Sequence, residues 1–267
     1  MPELPEVRTV AKILKNKLLN KKITNIKVIY SKTIDANSLD INLLVGKTLK
    51  NINTYGKYLV FEFEDYYMIS HLRMEGKYFI KPATDEIVKH EHVVFYFDEL
   101  TLRYHDTRKF GRMQVIKPED LGKVPGLMKL APEPFVITKE FLHEHLSKKS
   151  LPIKSSLLDQ TIISGLGNIY VDEVLFDTKI NPLRAAKTIS LKECEAIIAS
   201  SIKILNDSIN NGGTTIFSYT AVGAEGHYQG MLKVHTRVNT PCLNCGTLIK
   251  KIKVGGRGTY YCPKCQN

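Results

Sequence analysis

Four cysteines near the end of the chain constrain it most. Cys242 and Cys245 form one C-x2-C pair, Cys262 and Cys265 a second, and sixteen residues (246–261) separate them. Two such knuckles at that distance can place four thiolates tetrahedrally around a zinc ion. All four ligands come from the protein, so no position remains for a water. The expectation is one structural Zn2+, with no redox or nucleotide cofactor beside it. Lys250-Lys251-Ile252-Lys253 and Gly255-Gly256-Arg257-Gly258 lie between the knuckles and predict a β-hairpin finger carrying basic residues. The fifth cysteine, Cys194, stands among apolar residues and reads as core. Paired spacing of this kind is metal arithmetic and fits a reducing cytoplasm. His90-x-His92 offers two more nitrogen ligands, but two histidines without further ligands do not read as a metal site.

The chain around this finger is basic. Its formal net charge is +11 and its pI about 9.3, which favours polyanionic partners, nucleic acid first. The basic residues are spread along the sequence, as on a folded surface, and are not confined to a tail. The 267 residues suffice for one large or two modest domains. No apolar run approaches the ~20 residues of a membrane span. The acidic N-terminus lacks the apolar segment of a signal peptide.

Local patterns divide the chain further. Val7, Val10, Ala11, Leu14 and Leu18 fall on one helical face and predict a helix over Pro5–Leu19. Residues 22–117 read as short strands. Ile26, Val28 and Tyr30 alternate, and Tyr58–Phe63, Met68–Leu72, Lys77–Ile80, Val93–Phe97 and Leu100–Tyr104 are aromatic and β-branched runs separated by turn signals. Such a series predicts a sandwich or a flattened barrel. Ala131-Pro132-Glu133-Pro134 is a stiff linker. After it come helices over Thr138–Leu146, from Pro152 to Asp159, and over Asn168–Phe176. Ser190 and Glu193 make a capping box before a long helix that Gly212-Gly213 ends. Residues 212–230 are glycine-rich and aperiodic, the pattern of a long functional loop.

The opening residues are Met1-Pro2-Glu3-Leu4-Pro5-Glu6-Val7. An initiator Met before a small residue is usually removed, which would leave Pro2 as a terminal secondary amine. An α-amino group titrates near 7.7–8.0, roughly, so a useful fraction is unprotonated at neutral pH. Such an amine can attack an electrophilic sugar carbon and form a Schiff base, with Glu3 beside it to move a proton. The same residues also suit a helix N-terminus, where a missing N–H costs little and negative charge meets the dipole.

This opening resembles the N-terminus of the bacterial formamidopyrimidine-DNA glycosylases, and the likeness runs on. It includes Gly56-Lys57-Tyr58, His71-Leu72-Arg73-Met74-Glu75-Gly76 and Asp106-Thr107-Arg108-Lys109-Phe110-Gly111. Pro152-Ile153-Lys154 and Gly165-Leu166-Gly167-Asn168-Ile169-Tyr170-Val171-Asp172-Glu173 follow, and the four-cysteine finger closes the series. The resemblance implies an α+β protein. Its parts are an N-terminal β-sandwich catalytic domain (1–130), a linker (131–138), a helix–two-turn–helix DNA-binding domain with a lesion loop (139–238) and a zinc finger (239–267). It implies a monomer bound to damaged double-stranded DNA in the interdomain cleft, away from membranes, in a bacterial cytoplasm and associated with the nucleoid through DNA. The implied activity is base excision repair. Oxidised purines such as 8-oxoguanine and formamidopyrimidines are removed, and the abasic strand is then cut.

The same resemblance assigns residues. Pro2, Glu3 and Lys57 form the implied catalytic set. Met74, Arg108 and Phe110 map to the wedge that fills the gap left by an extruded base, a role suited to an adaptable thioether, a hydrogen-bonding cation and a stacking ring. Lys57, His71, Asn168 and Arg257 match phosphate-binding positions, and His90, Lys154 and Tyr170 join the DNA-binding set. Glu173, Thr214 and Thr215 are implied accessories near the lesion. Thr107 and Lys109 depart from the family pattern, where Pro and Arg are more usual, and the loop after Thr215 is less familiar. Two other readings stay open here. One is an endonuclease VIII-like enzyme for oxidised pyrimidines, whose family usually opens Pro-Glu-Gly-Pro-Glu, against Leu4 here. The other is a non-catalytic zinc-containing nucleic-acid-binding protein, which leaves the Pro2-Glu3 terminus unexplained.

Overall fold

The computed structural model describes residues 1–214 and 226–267. The chain divides into two compact units. Met1–Met128 groups with Gly212–Gly226, and Lys129–Asn211 with His227–Asn267.

In the first unit, helix α1 (Leu4–Leu18) precedes eight strands: β1 (Asn25–Val28), β2 (Asn51–Tyr55), β3 (Tyr58–Glu62), β4 (Tyr67–His71), β5 (Lys77–Pro82), β6 (Glu91–Phe97), β7 (Leu100–His105) and β8 (Arg112–Ile116). They form two antiparallel four-stranded sheets, in the orders β1-β6-β7-β5 and β2-β3-β4-β8. The predicted helix forms one residue early at each end. Its apolar face, with Val7, Val10, Leu14 and Leu18 buried, joins a core drawn from both sheets. Leu59, Phe61 and Met68 come from one, and Tyr78, Val93, Phe95 and Leu102 from the other. That shared core makes the pair a sandwich. The second sheet is also covered on its far side. Val60, Ile69 and Ile116 pack there with Val124, just before the short helix α2 (Pro125–Met128). Burial on both faces explains why Tyr58–Phe61 reads as an unbroken apolar run. The sequence does not single out β2 and β8. Only Ile52 of β2 is buried, so edge position leaves that strand mostly polar.

The second unit holds α3 (Lys139–Ser147), α4 (Ile153–Leu157), α5 (Asn168–Asp177), α6 (Leu191–Asn210) and a hairpin of β9 (Lys250–Val254) and β10 (Arg257–Tyr261). Thr138 caps α3 by accepting the Phe141 N–H at 3.2 Å, and the Ser190–Glu193 capping box opens α6 as its spacing predicts. The helix predicted from Pro152 to Asp159 is shorter than expected and ends at Leu157. Cys194 is fully buried on α6, and burial pushes its thiol up to about 11. Phe176 of α5 shares a small core with Val234, Ile249 and the buried Cys242 and Cys262, so the finger is built onto α5.

Two features depart from the sequence reading. The Pro-rich segment belongs to the second unit, where Ala131 N–H donates to Gln160 O at 2.9 Å. The segment after α6 groups with the first unit, because Thr214 is bonded to Glu6. Among the described residues, no helix is long and apolar enough to cross a membrane.

Candidate functional site

The start of α1 is fixed on all sides. Glu3 is its N-cap, Pro5 lies in its first turn, and Glu3 N–H donates to Glu6 Oε2 at 2.8 Å in a capping box. Leu4 and Val7 are fully buried, and Pro2 and Glu3 are buried with them. The second oxygen of Glu6 accepts the Thr214 N–H at 2.9 Å and its hydroxyl at 3.1 Å. Gly213, at φ +83°, lies so close that a Cβ would stand 2.9 Å from Glu6 Oε1. One carboxylate therefore holds both the residue after Pro2 and Thr214, near the start of the loop. Sequence reasoning did not single out Glu6: Glu3-x-x-Glu6 has the spacing of a capping box, but its N-cap is Glu in place of the usual Ser or Thr. Thr214 is buried at this contact, and Thr215 lies outside the described residues.

Lys57 lies in the β2–β3 turn beside Gly56, which has φ +55°, and is 5% exposed. The next residue, Tyr58, pairs with His71, the last residue of β4. The two rings meet edge to face at 4.4 Å. His71 Nδ1 accepts the Arg73 N–H at 2.9 Å, so the proton of the neutral ring sits on Nε2 as a donor. Burial, then the charges of Arg73 and Lys57, lower its pKa to about 3.

Met74 is half-buried in the turn after β4, and Phe110 is 50% exposed in the turn after β7. Neither belongs to a core cluster of the described residues. The Arg108 guanidinium lies over the Phe110 ring at 5.0 Å. His90, at φ 73°, stacks edge-on to His105 at 5.7 Å. The fully buried Arg103 fixes the turn before it, donating to the carbonyls of Pro82, Asp85 and Glu86 and to the Glu91 carboxylate. His92 Nε2 is hydrogen-bonded to Asp106 O at 2.7 Å.

In the second unit, Asn168 opens α5 and donates from Nδ2 to Gly258 O at 3.0 Å, next to the exposed Arg257. Three sequence-assigned residues turn inward instead. Lys154 is fully buried, and its Nζ donates to Asp172 Oδ1 at 2.6 Å and to Gly258 O at 3.2 Å. Tyr170 is fully buried, with its hydroxyl bonded to Ser208 Oγ at 2.6 Å. Glu173 accepts the N–H groups of Lys233, Val234 and His235 at 2.8–3.0 Å. Internal partners occupy the polar ends of Lys154 and Tyr170, and both side chains are buried. Glu173 is a brace between α5 and the 233–235 segment. Asp172, which the sequence reading did not single out, completes this network by accepting the His235 Nδ1–H at 2.7 Å and the Tyr260 N–H at 3.2 Å.

Cys242, Cys245, Cys262 and Cys265 bring their Sγ atoms within 4.8 Å of one another, with pairs at 3.9 and 3.5 Å. Zn–S bonds of about 2.3 Å in a tetrahedron put sulfurs about 3.8 Å apart. The four thiolates thus make a closed site for one structural zinc ion.

Comparison with known proteins matches three family models in succession. They are the formamidopyrimidine-DNA glycosylase N-terminal domain over residues 1–113, the formamidopyrimidine-DNA glycosylase H2TH domain over 130–220, and the zinc finger found in FPG and IleRS over 240–267. The formamidopyrimidine-DNA glycosylase of Ligilactobacillus salivarius is 50% identical over 274 residues, covering 100% of this chain and 99% of the relative. That of Exiguobacterium sibiricum is 44% identical with the same coverage. Among solved structures, the Lactococcus lactis Fpg bound to DNA containing an abasic site superposes with a TM-score of 0.94 at 39% identity, covering 100% of both chains. The wild-type Lactococcus lactis Fpg (MutM) bound to DNA containing N7-benzyl-Fapy-dG matches equally well.

Proposed function

The chain belongs to the formamidopyrimidine-DNA glycosylase family, and from that premise we propose how its own residues perform base excision. The enzyme is a DNA glycosylase and abasic-site lyase that removes oxidised purines, 8-oxoguanine and formamidopyrimidines, from duplex DNA. Damaged DNA is its partner. It acts as a monomer in the cytoplasm, on the nucleoid. Its parts are a sandwich, a helical domain that takes in the Pro-rich segment, and a finger.

One observation carries the mechanism: Pro2 and Glu3 stand at the rigid start of a helix whose inner face is core. Once Met1 is removed, the Pro2 nitrogen lone pair forms a bond to C1′ while Glu3 protonates the ring oxygen. The base leaves with its glycosidic electrons and takes up a proton, the Pro2 N–H proton is lost, and the ring opens to an iminium. The iminium acidifies C2′–H. Loss of that proton drives out the 3′ phosphate, and a second elimination expels the 5′ phosphate. Glu6 keeps the Glu3 backbone and the Gly213-Thr214 segment in register through this sequence.

The remaining residues bind and hold open the duplex. Lys57 and Arg257 neutralise phosphates, while His71 and Asn168 donate uncharged hydrogen bonds to them. His90 joins them from the turn that Arg103 fixes. Met74, Arg108 and Phe110 enter the stack. Thr214 and Thr215 serve as accessories near the lesion. Zinc keeps the finger folded and takes no part in the chemistry.

Borohydride trapping tests the central claim. A reduced covalent adduct should map to Pro2 of a chain lacking Met1, and an N-terminal tag should abolish it. Glu3→Gln should slow excision more than cleavage of a pre-formed abasic site. Undiminished trapping by a verified tagged protein would exclude Pro2 and point to Lys57. A lesion panel in which oxidised pyrimidines are the better substrates would overturn the purine assignment.

A further inference from the structure

The two turns that carry Met74 and Phe110 are built alike. In the first, Arg73 lies at φ 54° and the Gly76 N–H donates to Leu72 O at 2.9 Å. In the second, Lys109 lies at φ 59°. Both are non-glycine residues in the left-handed region, which persists only where the surroundings impose it.

Those surroundings meet at one point. Asp106 has no exposed surface, and its Oδ1 accepts the Arg108 N–H at 3.0 Å. Its Oδ2 accepts the Gly111 N–H at 2.8 Å and the Tyr104 hydroxyl at 3.3 Å. This carboxylate therefore shapes the whole Arg108–Phe110 turn from beneath. The Tyr104 hydroxyl is buried between the closing glycines of both turns. A Cβ on Gly111 would stand 1.5 Å from it, and one on Gly76 2.3 Å. The single phenol oxygen is thus the common floor of the two turns, and only glycine fits against it at either place. Above this floor the turns meet again, where the Thr107 hydroxyl donates to Glu75 Oε2.

We propose that Tyr104 and Asp106 are positioning residues that join the Met74 turn and the Arg108–Phe110 turn into one rigid probe, with the Glu75–Thr107 bond tying its two tips. The proposal rests on the wedge reading of Met74, Arg108 and Phe110. The three side chains then enter the stack as one body, and ordering two separate turns is no longer part of the insertion step. None of the four joining residues needs to touch DNA for this.

The test uses the full-length zinc-containing enzyme and a duplex carrying 8-oxoguanine opposite cytosine. A 2-aminopurine beside the lesion reports local unstacking in stopped flow. Thr107→Val and Glu75→Ala, both at exposed positions, should slow the fluorescence step roughly three- to tenfold, the worth of one hydrogen bond. Thr107→Ser should restore it to within about twofold. The double variant should be no slower than the slower single one, since the two side chains act as a pair. Cleavage of a single-stranded oligonucleotide with a pre-formed abasic site, which has no stack to enter, should be unchanged. Tyr104→Phe should slow unstacking by a similar factor.

Wild-type unstacking rates in both exposed variants would overturn the proposal, as would additive effects or an equal loss on the single strand. Phe110→Ala separates this failure from that of the wedge itself. If Phe110→Ala unstacks the duplex normally, the wedge reading falls and the proposal with it. If Phe110→Ala is slow while Thr107→Val is not, only the joining of the turns is refuted.

Discussion

Replacing Lys154 with Met should cost the fold and leave the electrostatics of DNA binding alone. The Lys154 ammonium and the Asp172 carboxylate are both fully buried, 2.6 Å apart. Removing one partner of a buried pair costs about 3–5 kcal/mol, because the other charge is left in a poor solvent. Asp172 keeps two donors on its second oxygen, from His235 and Tyr260, so the lower end of that range applies. Against a total stability of about 5–15 kcal/mol this is a large fraction. For a protein of this size, each kcal/mol is worth roughly 2–4 °C, so thermal unfolding should come about 6–12 °C earlier. Pairing Lys154→Met with Asp172→Leu should cost less than the two singles added, since no lone charge remains. DNA affinity should then be measured across salt concentrations at a temperature where both proteins are folded. The slope of log K against log salt should match wild type, because Lys154 has no surface from which to neutralise a phosphate. Arg257→Ala, by contrast, should lower that slope by about 0.9. A Lys154→Met protein that melts normally but loses a unit of salt slope would refute the reasoning and make Lys154 a direct DNA contact.

Cys245→Ser should release zinc and weaken DNA binding, because closed thiolate sites couple metal binding to folding. Full metal content with unchanged affinity would contradict the finger assignment. His71 should make stability depend on pH. Its folded pKa of about 3 lies below the ordinary 6.5, so the unfolded chain binds a proton there that the folded chain refuses. Stability is then lost as pH falls from about 6.5 towards 3 and is unaffected above that window, at most about 1.4 kcal/mol per pH unit. Denaturant midpoints at pH 7 and pH 5 should fall less in His71→Gln than in wild type, and parallel profiles would show that the imidazole is not held neutral.

What the sequence determined by itself is what depends on near neighbours along the chain. The two C-x2-C pairs, the helical spacing of Val7 to Leu18 and the Ser190–Glu193 cap each specify a local geometry that needs no distant partner. The Pro2-Glu3 opening and the residues proposed as wedge and phosphate contacts were singled out through ordered motifs, which record composition and position. Motifs do not record which way a side chain turns. Lys154, Tyr170 and Glu173 lie in matching motifs, yet their direction depends on Asp172, Ser208 and the backbone of residues 233–235, which only folding brings to them. The same holds for Glu6, whose partner Thr214 is 208 residues away, and for Tyr104, an ordinary core-strand tyrosine in sequence. Its hydroxyl gains a role only when two turns close over it, because burial and a hydrogen bond between distant segments are properties of the packed chain.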